Sequence, residues 1–86
     1  MDMRRLVGEN VLRLRRRKGL TQEQFAEASG FSQQYISDLE RGRRNPTVVS
    51  LYLLAQPLDV GPVELIKPQP AKRAAKGKRQ SRSAGA

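Results

Sequence analysis

The stretch TQEQFAEASGFSQQYISDLERG, residues 21–42, decides the fold. Thr21 and Gln24 stand three apart, the spacing at which a threonine side chain and a glutamine side chain cap each other's orphaned N–H groups at a helix start. Phe25 and Ala26 follow as the inward positions of a short helix that stops near Ser29-Gly30. Gly30 supplies the left-handed backbone a tight turn needs at little steric cost. Ser32 then caps a second helix, expected over residues 32–41, with Ile36 and Leu39 inward and Gly42 just past its end. Ala26 is small where two helices so closely linked must cross.

On the N-terminal side, Val7, Val11 and Leu14 fall at i, i+4 and i+7, one apolar stripe of a helix that ends near Lys18-Gly19. Arg15, Arg16, Arg17 and Lys18 crowd its last turn, where cations favour the negative end of the helix dipole. On the other side, Arg43-Arg44-Asn45-Pro46 reads as a loop, and Thr47 caps a fourth helix carrying Val48, Leu51, Leu54 and Ala55. Pro57 ends or kinks that helix, and Pro62 suits the first turn of a short fifth helix with Val63, Leu65 and Ile66. No alternating strand pattern occurs. The expectation is an all-α fold, a compact five-helix domain over residues 1–66.

Composition narrows the chemistry. The chain of 86 residues has no cysteine and no histidine, so it lacks a disulfide framework, a thiol nucleophile and the commonest general base and metal ligand. No cofactor is expected, and an enzyme is set aside. The net charge is +9, a field that favours a polyanionic partner. It is unevenly placed. Residues 1–66 hold ten Lys or Arg and eight acids, a net of +2, whereas residues 67–86 hold seven and none. The second stretch has no Val, Ile, Leu, Met, Phe, Tyr or Trp. It cannot bury enough apolar surface to offset its ordering entropy, so a disordered basic tail is expected over residues 67–86. With no apolar face, that tail is a poor membrane anchor, and no apolar run nears the roughly 18 residues of a span.

Two short helices joined by a glycine-containing turn form a helix-turn-helix, whose second helix presents its N-terminal part to the major groove of duplex DNA. With Phe25, Phe31, Ile36 and Leu39 directed inward, Gln33, Gln34, Tyr35, Ser37 and Asp38 become the candidate base-reading residues. The strings Gly19 to Ala26, Ser29 to Gly42 and Arg44-Asn45-Pro46-Thr47 closely resemble the Xre-like family, the helix-turn-helix proteins of the lambdoid phage repressor and Cro type. The resemblance runs from about Leu6 to Ile66 and implies a lambda-repressor-like DNA-binding domain.

It also implies roles. Gln33 and Gln34 match a pair that reads bases, and Asp38 stands where relatives often place a base contact, able to accept from cytosine N4 or to repel phosphate. Thr21 and Gln22, at the helix start, match a phosphate-binding position, as do Arg41, Arg43, Arg44 and Asn45 in the loop after the recognition helix. Arg15 and Glu40 match a buried salt bridge that aims the arginine at a phosphate. Asp59 replaces the glycine usual after the fourth helix. That helix is apolar nearly all round: Val49, Tyr52 and Leu53 add to its inward face, which implies a subunit interface extended by Val63 and Ile66.

The leading expectation is a homodimeric transcription regulator, a repressor or autoregulator, bound to a palindromic operator. Small phage Cro-like proteins and restriction–modification controller proteins share this plan. The alternative is an antitoxin that binds its operator and masks a toxin. Met1-Asp2-Met3-Arg4-Arg5 leads into a charged segment and not an apolar signal stretch, so a cytoplasmic protein is expected, bacterial or phage-encoded and gathered on DNA.

Overall fold

The computed structural model describes residues 2–69. Four α-helices follow one another: α1 Met3–Arg17, α2 Gln22–Ser29, α3 Gln33–Glu40 and α4 Val48–Ala55. A 3-10 turn, Pro62–Leu65, takes the place of the expected fifth helix. Four residues with Pro at the start can close only a tight turn. Of the tail expected to be disordered, residues 67–86, all but residues 67–69 lies outside the described residues.

Each helix begins on a side-chain cap. Asp2 accepts from the Arg4 and Arg5 amides. Thr21 caps α2 in a complete capping box with Gln24, Ser32 caps α3 and Thr47 caps α4. Gly30, at φ 88°, makes the left-handed corner between α2 and α3. After α4 the chain turns through Pro57, and Asp59 stands at φ 60°, left-handed backbone that a short polar side chain tolerates better than most.

The core gathers the inward residues of every element: Val7, Val11 and Leu14 of α1, Phe25 and Ala26 of α2, Ile36 and Leu39 of α3, Leu54 and Ala55 of α4, then Leu58 and Leu65. Leu65 is wholly buried, and burying a side chain of that size contributes about 1.5–3 kcal/mol. The apolar stripe expected of α4 holds only at its C-terminal end. Leu51 is half-buried and Val48 is 81% exposed, while α4 packs mainly on the 3-10 turn.

Two residues of α1 that the apolar pattern passes over set the packing. A Cβ at Gly8 would fall on the Leu39 carbonyl oxygen and lie 2.9 Å from that of Glu40, so α1 and the end of α3 meet backbone to backbone. Asn10, on the same stripe as Val7 and Val11, is buried. Its Nδ2 donates to the carbonyls of Leu65 (3.0 Å) and Lys67 (2.9 Å). Its Oδ1 accepts from Arg13. Asn10 therefore satisfies the carbonyls that leave the 3-10 turn and pins them to α1. The bond to Lys67 falls within the stretch Ile66-Lys67-Pro68 where domain and tail are expected to meet.

Gly8→Ala lowers unfolding stability by about 1–3 kcal/mol, the usual cost of overpacking, read as a fall in thermal midpoint. An unchanged midpoint would mean that α1 and α3 part freely.

Candidate nucleic-acid interface

One carboxylate joins the elements that surround α3. Arg15 Nε donates to Glu40 Oε2 at 2.6 Å and Nη2 to Oε1 at 3.0 Å. Arg15 Nη1 donates to the Leu20 carbonyl at 2.8 Å, and Gln22 Nε2 donates to Glu40 Oε1 at 2.9 Å. The end of α1, the α1–α2 turn, the first residue of α2 and the last residue of α3 thus share one node. The bidentate fork fixes orientation as well as distance. The ionic side chains are 10% and 5% exposed, so this is a buried pair. Arg15 has three of its five N–H groups engaged, which leaves it little surface to offer a phosphate.

Around that node lie the outward groups. Thr21 is occupied as the α2 cap, while the first-turn amides of Gln22 and Glu23 have no intrahelical partner, as at any helix start. Gln33 and Gln34 open α3 and are exposed. The Gln33 side chain makes no hydrogen bond among the described residues. Arg41, Arg43, Arg44 and Asn45 are exposed along the loop that leaves α3. That loop is held to the helix by the Arg43 amide, which donates to the Asp38 carbonyl at 2.9 Å.

Three of the expected base-reading residues are less free than the sequence suggests. Asp38 does not face outward alone: Oδ1 accepts from Gln34 Nε2 at 3.0 Å and Oδ2 lies 3.6 Å from Arg44 Nη2. Tyr35 is half-buried, stacked on Phe31 with ring centroids 4.6 Å apart. The Arg44 guanidinium lies over its ring, 5.1 Å from the centroid, an arrangement in which a cation is held by the ring quadrupole. Ser37 is half-buried. Asp38 follows Gln34 by four residues, the helical spacing for such a bond, and that spacing is the one signal of the pair present in the sequence.

A second surface is apolar. Val49, Tyr52, Leu53, Val63 and Ile66 are all exposed, together with Val48 and Met3. No helix of the described residues is long and apolar enough to cross a membrane. Among those residues, no cluster of three or more acids could hold a metal ion.

The helix-turn-helix family model HTH_3 matches residues 11–65. The uncharacterized HTH-type transcriptional regulator y4dJ of Sinorhizobium fredii is 69% identical over 68 residues, 79% of this chain and 88% of its own length. The restriction–modification controller protein C.AhdI of Aeromonas hydrophila superposes with a TM-score of 0.69 at 40% identity, covering 72% of this chain and 90% of that one. SinR, a master regulator for biofilm formation solved in complex with DNA, superposes with a TM-score of 0.68 at 29% identity, covering 71% of this chain and 98% of its own.

Arg15→Met strips Glu40 of its cation and costs about 3–5 kcal/mol, as expected for half of a buried pair. Urea unfolding reads this directly. A loss below about 1 kcal/mol would show that the pair behaves as a surface contact.

Proposed function

The chain belongs to the helix-turn-helix (HTH_3) family, and on that premise we propose that it is a sequence-specific, DNA-binding transcription regulator rather than an enzyme. The observation that carries this reading is the surroundings of α3. Glutamines are exposed at its N-terminal end, the cationic loop Arg41–Asn45 leaves its C-terminal end, and its last residue, Glu40, is bonded to Gln22 at the start of α2. Phosphate contacts from the loop and the α2 amides set the register, and the base edges are read by what α3 presents between them. Gln33, unencumbered, is the principal reader, and the amide of glutamine matches adenine N6 and N7. The DNA complex of SinR, a structural neighbour, supports the same use of the fold.

The working unit in this reading is a homodimer on a palindromic operator. The support is the exposed apolar surface of Val49, Tyr52, Leu53, Val63 and Ile66, which water contacts at a cost and a second copy would cover. An isologous pair places two copies of α3 at half-sites about one helical turn apart, roughly 34–36 Å. The basic residues 67–86 act as an arm that adds affinity for any duplex and little choice between them.

Selection from a random duplex pool tests the reading. The chain enriches a two-fold symmetric site, and Gln33→Ala relaxes one or two positions of it at a cost of about 1–3 kcal/mol on the preferred site. Equal weakening on random DNA would remove Gln33 from base reading. Leu53→Glu gives monomers by sedimentation, and an intact dimer would place the interface elsewhere. Deleting residues 70–86 lowers the slope of log affinity against log salt by up to about 0.9 for each phosphate the arm neutralises. An unaltered slope would leave the arm without a role.

A further inference from the structure

Asp38 is the acid on the outward side of α3, and its two oxygens are both engaged. Oδ1 accepts from Gln34 Nε2 at 3.0 Å, and Oδ2 faces Arg44 Nη2 at 3.6 Å. Arg44 is in turn steadied by the ring of Tyr35 at 5.1 Å, and Tyr35 by Phe31. The carboxylate is therefore buttressed from one side and bonded on the other. An ionised carboxylate only accepts hydrogen bonds. The end of the Gln34 amide that faces Asp38 must then be nitrogen, and the oxygen must face away.

That polarity has a consequence for base reading. In the major groove, adenine and cytosine offer an exocyclic amino donor, whereas guanine O6 and thymine O4 are acceptors. We infer that Asp38 is a positioning residue that fixes the orientation of the Gln34 amide, so that Gln34 presents its Oε1 to the base it faces. Gln34 then accepts an amino-bearing base, A or C, on the strand it reads and disfavours a keto base, G or T. The inference rests on the DNA-binding reading above and adds to it which chemical class of base edge this position takes. Asp38 touches no base in this scheme; it acts through Gln34.

The test uses the full chain in a random-pool selection. The variants Gln34→Ala and Asp38→Asn are checked for native helicity, and affinities are then measured on four duplexes that differ only at the position Gln34→Ala relaxes. The wild-type chain prefers A or C there by about fivefold or more. Asp38→Asn, whose amide can donate as well as accept, frees Gln34 to turn over and brings that preference below about twofold while the other positions keep theirs. The base ratio is indifferent to the general gain in affinity that follows removal of a negative charge. Persistence of the preference in Asp38→Asn overturns the inference. So does a wild-type preference for G or T at that position, which needs no Asp38 variant to fold, and so does a Gln34→Ala chain that relaxes nothing. A wild-type chain that enriches no site overturns the regulator reading and this inference with it. A site retained with Asp38→Asn matching wild type base for base overturns this inference alone.

Discussion

The carboxylate of Glu40 is the constraint on which the rest of the structure depends. It closes α3, takes both arms of the Arg15 fork, and holds the side chain of Gln22 at the start of α2. A buried ion pair is a poor source of net stability, since desolvation offsets much of the attraction. Its value here is geometric. Helices of eight residues have few turns to pack with, and apolar contacts alone leave their crossing angle soft. A bidentate bond with further hydrogen bonds on the same node has one good arrangement, and that arrangement fixes how the start of α2 stands relative to α3. Gly8 makes it reachable, because any side chain there would push α1 off the end of α3.

Much of this was legible in the sequence. The caps at Thr21, Ser32 and Thr47 are local signals that need no tertiary information, and all three form. The stripe Val7, Val11 and Leu14 and the inward pairs of α2 and α3 follow from helical spacing and are buried. The pairing of Arg15 with Glu40 came from family resemblance, as no spacing rule links residues 25 apart. Contacts between distant residues leave no mark in the periodicity. Gly8 matters because of the backbone at Leu39 and Glu40, far along the chain. Asn10 looks like a polar flaw in an apolar stripe until the carbonyls of Leu65 and Lys67 reach it. Val48 fits the α4 stripe by period yet stands exposed, because periodicity says which residues share a face and not whether a neighbour covers it.

The site follows the same division. Exposure of Gln33 and of the loop arginines could be read from polarity and position. The state of Asp38, Tyr35 and Arg44 could not, because their mutual contacts join α3 to a loop whose path the sequence leaves open. The opposed charges of Asp38 and Arg44 turn what looked like two independent DNA contacts into one coupled unit. Charge as a whole is similarly divided. Residues 1–66 are nearly balanced, so placement of their arginines matters more than their number, while the excess lies in residues 67–86. In the proposed function, long-range attraction and base choice come from different parts of the chain, the first sensitive to salt and the second to hydrogen-bond geometry.

Backbone amide chemical shifts of the full chain, followed while a selected operator duplex is titrated in, show whether α3 and its flanking loop meet the DNA. The largest changes are expected at Gln22 and Glu23, at Gln33 through Ser37, and at Arg41 through Asn45. Changes confined to residues 67–86, or centred on α4 with α3 silent, would contradict it.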